Sequence, residues 1–156
     1  MILHPAPDAT IGEARLRVRY AETDKMGVVY NSNYLIWFEI GRVELMRELG
    51  HSYREIEEDG SLLPVAEVTC RFKGSAAYDD QIVIHTNILK LRRSLIQFGY
   101  QVFREYDNKL LATGASAHFV VDRDKRRKPL SDKYMVPFAR AMGGLPVTKL
   151  VTQELA

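Results

Sequence analysis

The stretch YAETDKMGVVYNSNYLIWFEIGR, residues 20–42, decides the fold. It opens with two acids and a threonine, passes through Gly27, and ends among tyrosine, leucine, tryptophan and phenylalanine. The polar half, AETDKMGVVY, reads as a loop. The apolar half reads as a helix over about residues 32–49, for which Asn31, Ser32 and Asn33 are all suitable N-caps and Gly50 a stop. Tyr34, Phe38, Gly41, Leu45 and Leu49 share one face at helical spacing. The first turns are apolar almost all round, whereas Arg42, Glu44, Arg47 and Glu48 wet the later ones. A helix of that kind must be wrapped by something large.

Composition allows the wrapping. The chain has 156 residues, suited to one domain, with 46% hydrophobic and 27% charged residues. A net charge of +2 argues for neither nucleic acid nor a membrane surface. The single cysteine, Cys70, excludes an internal disulfide and a Cys-rich zinc site, and fits a reducing compartment. The first residues, MILHPAPDATIGEA, lack a basic segment and an apolar run, and nothing approaches the roughly 18 apolar residues of a membrane span, so a cytoplasmic location is expected.

Around the helix the pattern has period two. ARLRVRY, residues 14–20, puts Leu16 and Val18 on one face and arginines on the other. After the helix SYREIEEDG adds a short helical turn, and four strand patterns follow. Their apolar rows are Leu62, Ala66, Val68, Cys70 and Phe72; Ile82, Ile84 and Ile88 with Thr86 between them; Ile96, Phe98, Tyr100 and Val102; and Leu111, Ala115, Ala117, Phe119 and Val121. The short connections RRS and YDNK make consecutive strands antiparallel neighbours. A terminal helix is expected after the basic run RDKRRK. The class is α+β, with about five antiparallel strands whose dry face covers one long helix. Residues 1–13 are expected to form an arm, 14–141 the domain and 142–156 a tail. Long strands leave edges, which a second copy would protect.

Asp24 is the candidate reactive group. A carboxylate a few residues before a helix N-terminus lies in positive potential, which favours its charged form as nucleophile or general base. The same helix end offers unpaired amides to a developing oxyanion. The competing reading is that Asp24 only caps a turn. Glu22 is expected to be solvated or paired with a strand arginine; Glu39, among Trp37, Phe38 and Ile40, is expected to pair with Arg42. His4, His51, His85 and His118 show no metal spacing, Cys70 reads as inert core, and no phosphate-binding glycine loop or nucleophile elbow appears.

The motif RYAETDKMGVVYNSNYLIWFEIGR resembles the signature of the hot-dog-fold acyl-CoA thioesterases of the 4-hydroxybenzoyl-CoA thioesterase and YbgC-like group. The matching positions are Tyr20, Glu22, Thr23, Asp24, Gly27, Val28, Val29, Tyr30 and the helix from Asn33. The resemblance implies a five-stranded sheet wrapped around the helix, homodimers or homotetramers, and hydrolysis of acyl-CoA without metal or redox cofactor. It implies catalytic roles for Asp24 and for the backbone N–H of Asn31 or a neighbour. Tyr20, Gly27, Val29, Tyr30 and Tyr34 are the expected acyl-side contacts, and Lys73 and Arg126 the expected coenzyme contacts. Many YbgC-like members carry His where this chain has Asn31, and Asn cannot act as a general base. Acyl-carrier-protein thioesters, or acyl-CoA binding without turnover, are the alternatives; a hot-dog hydratase would need an Asp/His pair that is not found.

Overall fold

The computed structural model describes residues 6–143. The strands are β1 (Gly12–Arg17), β2 (Val65–Phe72), β3 (Gln81–Arg92), β4 (Leu95–Arg104) and β5 (Lys109–Phe119). The helices are α1 (Ser32–Glu48), α2 (Tyr53–Glu58) and α3 (Asp132–Ala141). All strand pairs are antiparallel in the order β1-β3-β4-β5-β2, with β1 and β2 at the edges. The short connections do join neighbours, β3 to β4 and β4 to β5. β1 begins at Gly12, and just before it the Thr10 amide donates to the Ala141 carbonyl at 2.8 Å, so chain expected as arm is tied to the end of α3. Tyr20 falls beyond β1, in a 3₁₀ turn over Tyr20–Glu22. The expected tail lies outside the described residues from 144 onward, as does His4.

α1 has its expected span, with Leu49 at the C-cap and Gly50 at φ 97°, a left-handed angle that glycine adopts without strain. It crosses the sheet closely at two glycines. A Cβ on Gly41 would stand 2.4 Å from Thr86 Oγ1 and 2.8 Å from Ile84 Cγ2. One on Gly114 of β5 would stand 2.5 Å from the Phe38 ring, which itself stacks on Tyr100 at 4.3 Å. Tyr34, Trp37, Phe38, Leu45 and Met46 are buried against the sheet. Behind them, α3 buries Tyr134, Met135 and Phe138, and Lys133 pairs with Glu55 of α2 at 2.7 Å.

Three expectations fail here. The first turns of α1 are not wrapped: Leu35, Ile36 and Ile40 are 39%, 47% and 37% exposed, because the helix leans on β1 and β3 and leaves its other flank open. Glu39 is on that open flank, exposed, and needs no buried partner; Arg42 instead lies beside the Tyr100 hydroxyl. The helix-facing row of β5 is Gly114, Ser116 and His118, not the row containing Ala115, Ala117 and Phe119. A register shift between Val102 and Phe103 leaves Leu111 as an extra residue on β5, and Phe119 is left exposed.

The polar row is fully engaged. The His118 Nδ1–H donates to the Leu63 carbonyl at 3.1 Å, since a carbonyl only accepts. The neutral ring therefore accepts the Ser116 hydroxyl at Nε2, 2.7 Å away, and Ser116 accepts from Tyr100 at 2.5 Å. Burial, helped by the Arg42 charge and opposed by the Leu63 carbonyl, lowers the His118 pKa from 6.5 to about 4.

Two predictions follow from this packing. Gly41→Ala gains helix propensity of about 1 kcal/mol, but overpacking against Thr86 costs about 1–3 kcal/mol. Thermal melts should show a lower Tm, and an unchanged or higher one would contradict the close crossing. For His118, the unfolded ring takes up a proton near pH 6.5 and the folded one only near 4. Its contribution is complete above pH 6.5 and is lost as pH falls toward 4. Urea unfolding at pH 7 and pH 5 should differ by roughly 2 kcal/mol from this group, and His118→Gln should shrink that difference.

Candidate active site

The loop before α1 is a small hairpin. The Tyr30 amide donates to the Glu22 carbonyl at 2.8 Å, Thr23 bridges Val29, and the Asp24 amide donates to the Val28 carbonyl at 2.9 Å. At its tip the Gly27 amide donates to the Asp24 carbonyl at 3.0 Å, and Gly27 has φ 78°, which explains glycine there. The Asp24 carboxylate is half-buried and accepts the Met26 amide at 2.8 Å through Oδ1. That Asx turn fixes one oxygen, and among the described residues Oδ2 has no hydrogen-bond partner. The Val29 amide donates to the Ala76 carbonyl at 2.9 Å, which fastens the hairpin to the loop between β2 and β3.

Glu22 is the largest departure at this site. It is not solvated but 4% exposed. Its carboxylate accepts the Arg19 amide at 2.8 Å, Arg19 Nε at 3.3 Å, and Trp37 Nε1 of α1 at 2.9 Å. Burial would raise its pKa, but these donors and the Arg19 charge outweigh burial and hold it below the usual carboxylate value. The expected arginine partner is present, although Arg19 follows β1 rather than lying in it. The sequence did carry a signal: a buried indole N–H on α1 needs an acceptor.

No side chain caps α1. Asn31 occupies the N-cap position with helical φ −55° and ψ −35°, and its side chain makes no capping bond. Asn33 Nδ2 instead donates to the Glu22 and Tyr30 carbonyls, both at 3.1 Å. Tyr30 also accepts the Asn33 amide, and Asn31 the Tyr34 amide. Among the described residues, the amides of Asn31 and Ser32 find no acceptor. They are the open positive end of a helix of 17 residues.

The other expected contacts lie in different places. Tyr34 is buried at the base of the site, edge-on to Phe72 of β2 at 5.1 Å, and burial raises its hydroxyl to about 12. Tyr30 is exposed beside the helix start, and Tyr20 is 78% exposed in the 3₁₀ turn, edge-on to Tyr78 at 5.7 Å. Lys73 opens the loop that also carries Ala76, at the same end of β2 as the hairpin. Arg126 is elsewhere. Its amide is held by Asp122 Oδ1 at 2.9 Å, in a turn that pairs with Leu62 through Val121, beyond the other end of β2. That strand separates the two ends by roughly 23 Å at ~3.3 Å per residue. Arg126 and Asp24 are thus not brought together within one chain.

Half-buried Cys70 has its thiol pushed up to about 11 by burial. Among the described residues, no group of three His, Cys, Asp or Glu side chains is placed to hold a metal ion, and no helix is long and apolar enough to cross a membrane. β2 is exposed along nearly its whole length, with Val65, Val68 and Phe72 uncovered, as are Leu35, Ile36 and Ile40 of α1.

A five-stranded antiparallel sheet laid around one long helix, with an acidic loop at the helix start, defines the hot-dog class. Residues 18–138 match the model of the thioesterase-like superfamily, and the chain belongs to that family. It is 34% identical over 127 residues to YneP of Bacillus subtilis (strain 168), a provisionally assigned acyl-CoA thioesterase, covering 81% of this chain and 91% of YneP. Among solved structures, a DHNA-CoA thioesterase from Staphylococcus aureus superposes with a TM-score of 0.76 at 31% identity, covering 84% of this chain and 87% of that one. A hypothetical protein from Thermus thermophilus gives 0.81 at 29% identity, covering 86% and 100%.

Proposed function

We propose that the chain hydrolyses acyl-CoA thioesters to a carboxylic acid and free coenzyme A. The observation that carries this reading is the uncapped start of α1, joined through the hairpin to a carboxylate fixed in a turn seven residues earlier. The thioester oxygen accepts from the amides of Asn31 and Ser32 as negative charge develops on it. One such donor lowers a barrier by roughly 3–4 kcal/mol where it has been measured. Asp24 either adds to the carbonyl carbon, forming an anhydride that water then opens, or takes a proton from the water that adds. In both routes the C–S bond breaks, the sulfur leaves as thiolate and is protonated, and one water is consumed. Membership of the thioesterase-like superfamily and likeness to YneP support coenzyme A as the carrier. Asn31 contributes here through its backbone, so the absence of the histidine common in related enzymes does not remove the polarising group.

The working unit in this reading is a homodimer in the cytoplasm. Antiparallel pairing of β2 with its counterpart would cover Val65, Val68, Phe72 and the open flank of α1. It would also lay each basic turn, 123–128, beside the partner's hairpin, where Arg126 could reach coenzyme phosphates that Lys73 meets from the same chain.

Asp24→Asn should leave the fold and Tm intact and reduce hydrolysis by on the order of 10²–10⁴-fold, read as coenzyme A thiol release from acyl-CoAs of graded length and from benzoyl types. Wild-type turnover in that variant would overturn the reading. The same acyl group presented on an acyl carrier protein tests the rival carrier, and tight acyl-CoA binding with no turnover by the wild type would favour a binding module.

A further inference from the structure

We propose that Glu22 is a positioning residue that holds the Asp24 carboxylate and the α1 amides in one fixed relation. This rests on the reading of Asp24 given above. Glu22 stands where three segments meet: the 3₁₀ turn after β1, the hairpin bearing Asp24, and the first turns of α1. Five donors converge on this one residue. Its carboxylate takes the Arg19 amide, Arg19 Nε and Trp37 Nε1, and its carbonyl takes the Tyr30 amide and Asn33 Nδ2. Two of the five come from α1 itself, and a third comes from the residue before Asn31. Two residues further along, Asp24 begins its Asx turn.

The side chain and the main chain therefore act as one clamp. The carboxylate grips α1 at Trp37, and the carbonyl grips the hairpin at Tyr30. If the grip slackens, attacking oxygen and polarising amides move relative to each other while the coenzyme contacts stay. A misplacement of about 1 Å costs on the order of 10²-fold in rate. The loss falls on kcat, because Glu22 and Trp37 are both buried and present no surface to a bound coenzyme A.

The test compares Glu22→Gln, Glu22→Ala and Trp37→Phe with Asp24→Asn in the full chain. Steady-state kcat and KM are measured with one acyl-CoA, and the folded fraction is fixed by thermal melts. Glu22→Gln keeps an acceptor for Trp37 but turns an amide NH₂ toward the Arg19 donors, so kcat should fall roughly 10-fold, and Glu22→Ala on the order of 10²-fold, with KM unchanged. Trp37→Phe leaves the carboxylate and removes that group's hydrogen bond to α1, while Asn33 still holds the Glu22 carbonyl; kcat should again fall at unchanged KM. Wild-type kcat per folded molecule in Glu22→Gln and Trp37→Phe overturns the proposal, as does a loss confined to Tm. If the Glu22 variants do not fold, Trp37→Phe alone decides. If Asp24→Asn turns over normally, the reading of Asp24 falls; if it is inactive while the clamp variants run at wild-type rate, only the role of Glu22 falls.

Discussion

The close crossing of α1 over the sheet is the constraint from which the site follows. Gly41 lies on Thr86 and Ile84, and Phe38 lies on Gly114, with no room for a methyl group at either glycine. Side chains elsewhere can repack, but these two contacts set the height and direction of the helix axis. The direction matters because it brings the first turn of α1 to the loop that leaves β1, and both to the loop that leaves β2. Trp37, one turn before Gly41, then reaches a carboxylate 15 residues earlier in the chain. Packing at the middle of the helix and geometry at its start are parts of a single arrangement.

The interior beneath the helix is polar where a sheet of this kind would be expected to be oily. Tyr100, Ser116 and His118 form a line of hydrogen bonds that ends on the Leu63 carbonyl, with Arg42 beside its beginning. Every proton in the line has one direction, because its last acceptor cannot donate and the ring is neutral. A line with one solution fixes the register of β4 and β5 against the segment entering β2 more tightly than apolar contacts would. Its cost is that the ring must be desolvated on folding.

Much of this was legible in the sequence. Helical spacing from Tyr34 to Leu49 and the stop at Gly50 depend only on local geometry, and the short RRS and YDNK connections leave adjacent strands little choice. The loop around Asp24 and Gly27 was visible for the same reason, although its pairing into a hairpin was not. What failed required knowledge of the other side. β5 alternates small residues with small residues, so apolarity could not say which row faced inward, and the extra residue Leu111 has no local signature. Glu39 was assigned to a buried flank because Trp37, Phe38 and Ile40 surround it in sequence, yet on the helix it projects with Leu35 and Ile36. Glu22 looked like one more acid in a polar loop until Trp37 arrived from α1. Arg126 and Asp24 could not be placed relative to each other by any feature of the sequence, since their separation depends on which end of β2 each occupies.

The free start of α1 has an evolutionary meaning. Amide groups at positions 31 and 32 belong to the main chain, so ordinary substitution cannot delete them; proline alone removes one. Since the Asn31 side chain neither caps the helix nor props the loop, codon 31 can drift without loosening the helix end. Lineages sharing this architecture can therefore exchange histidine, asparagine or other residues there, altering what surrounds a ligand while the hydrogen-bond donors persist unchanged.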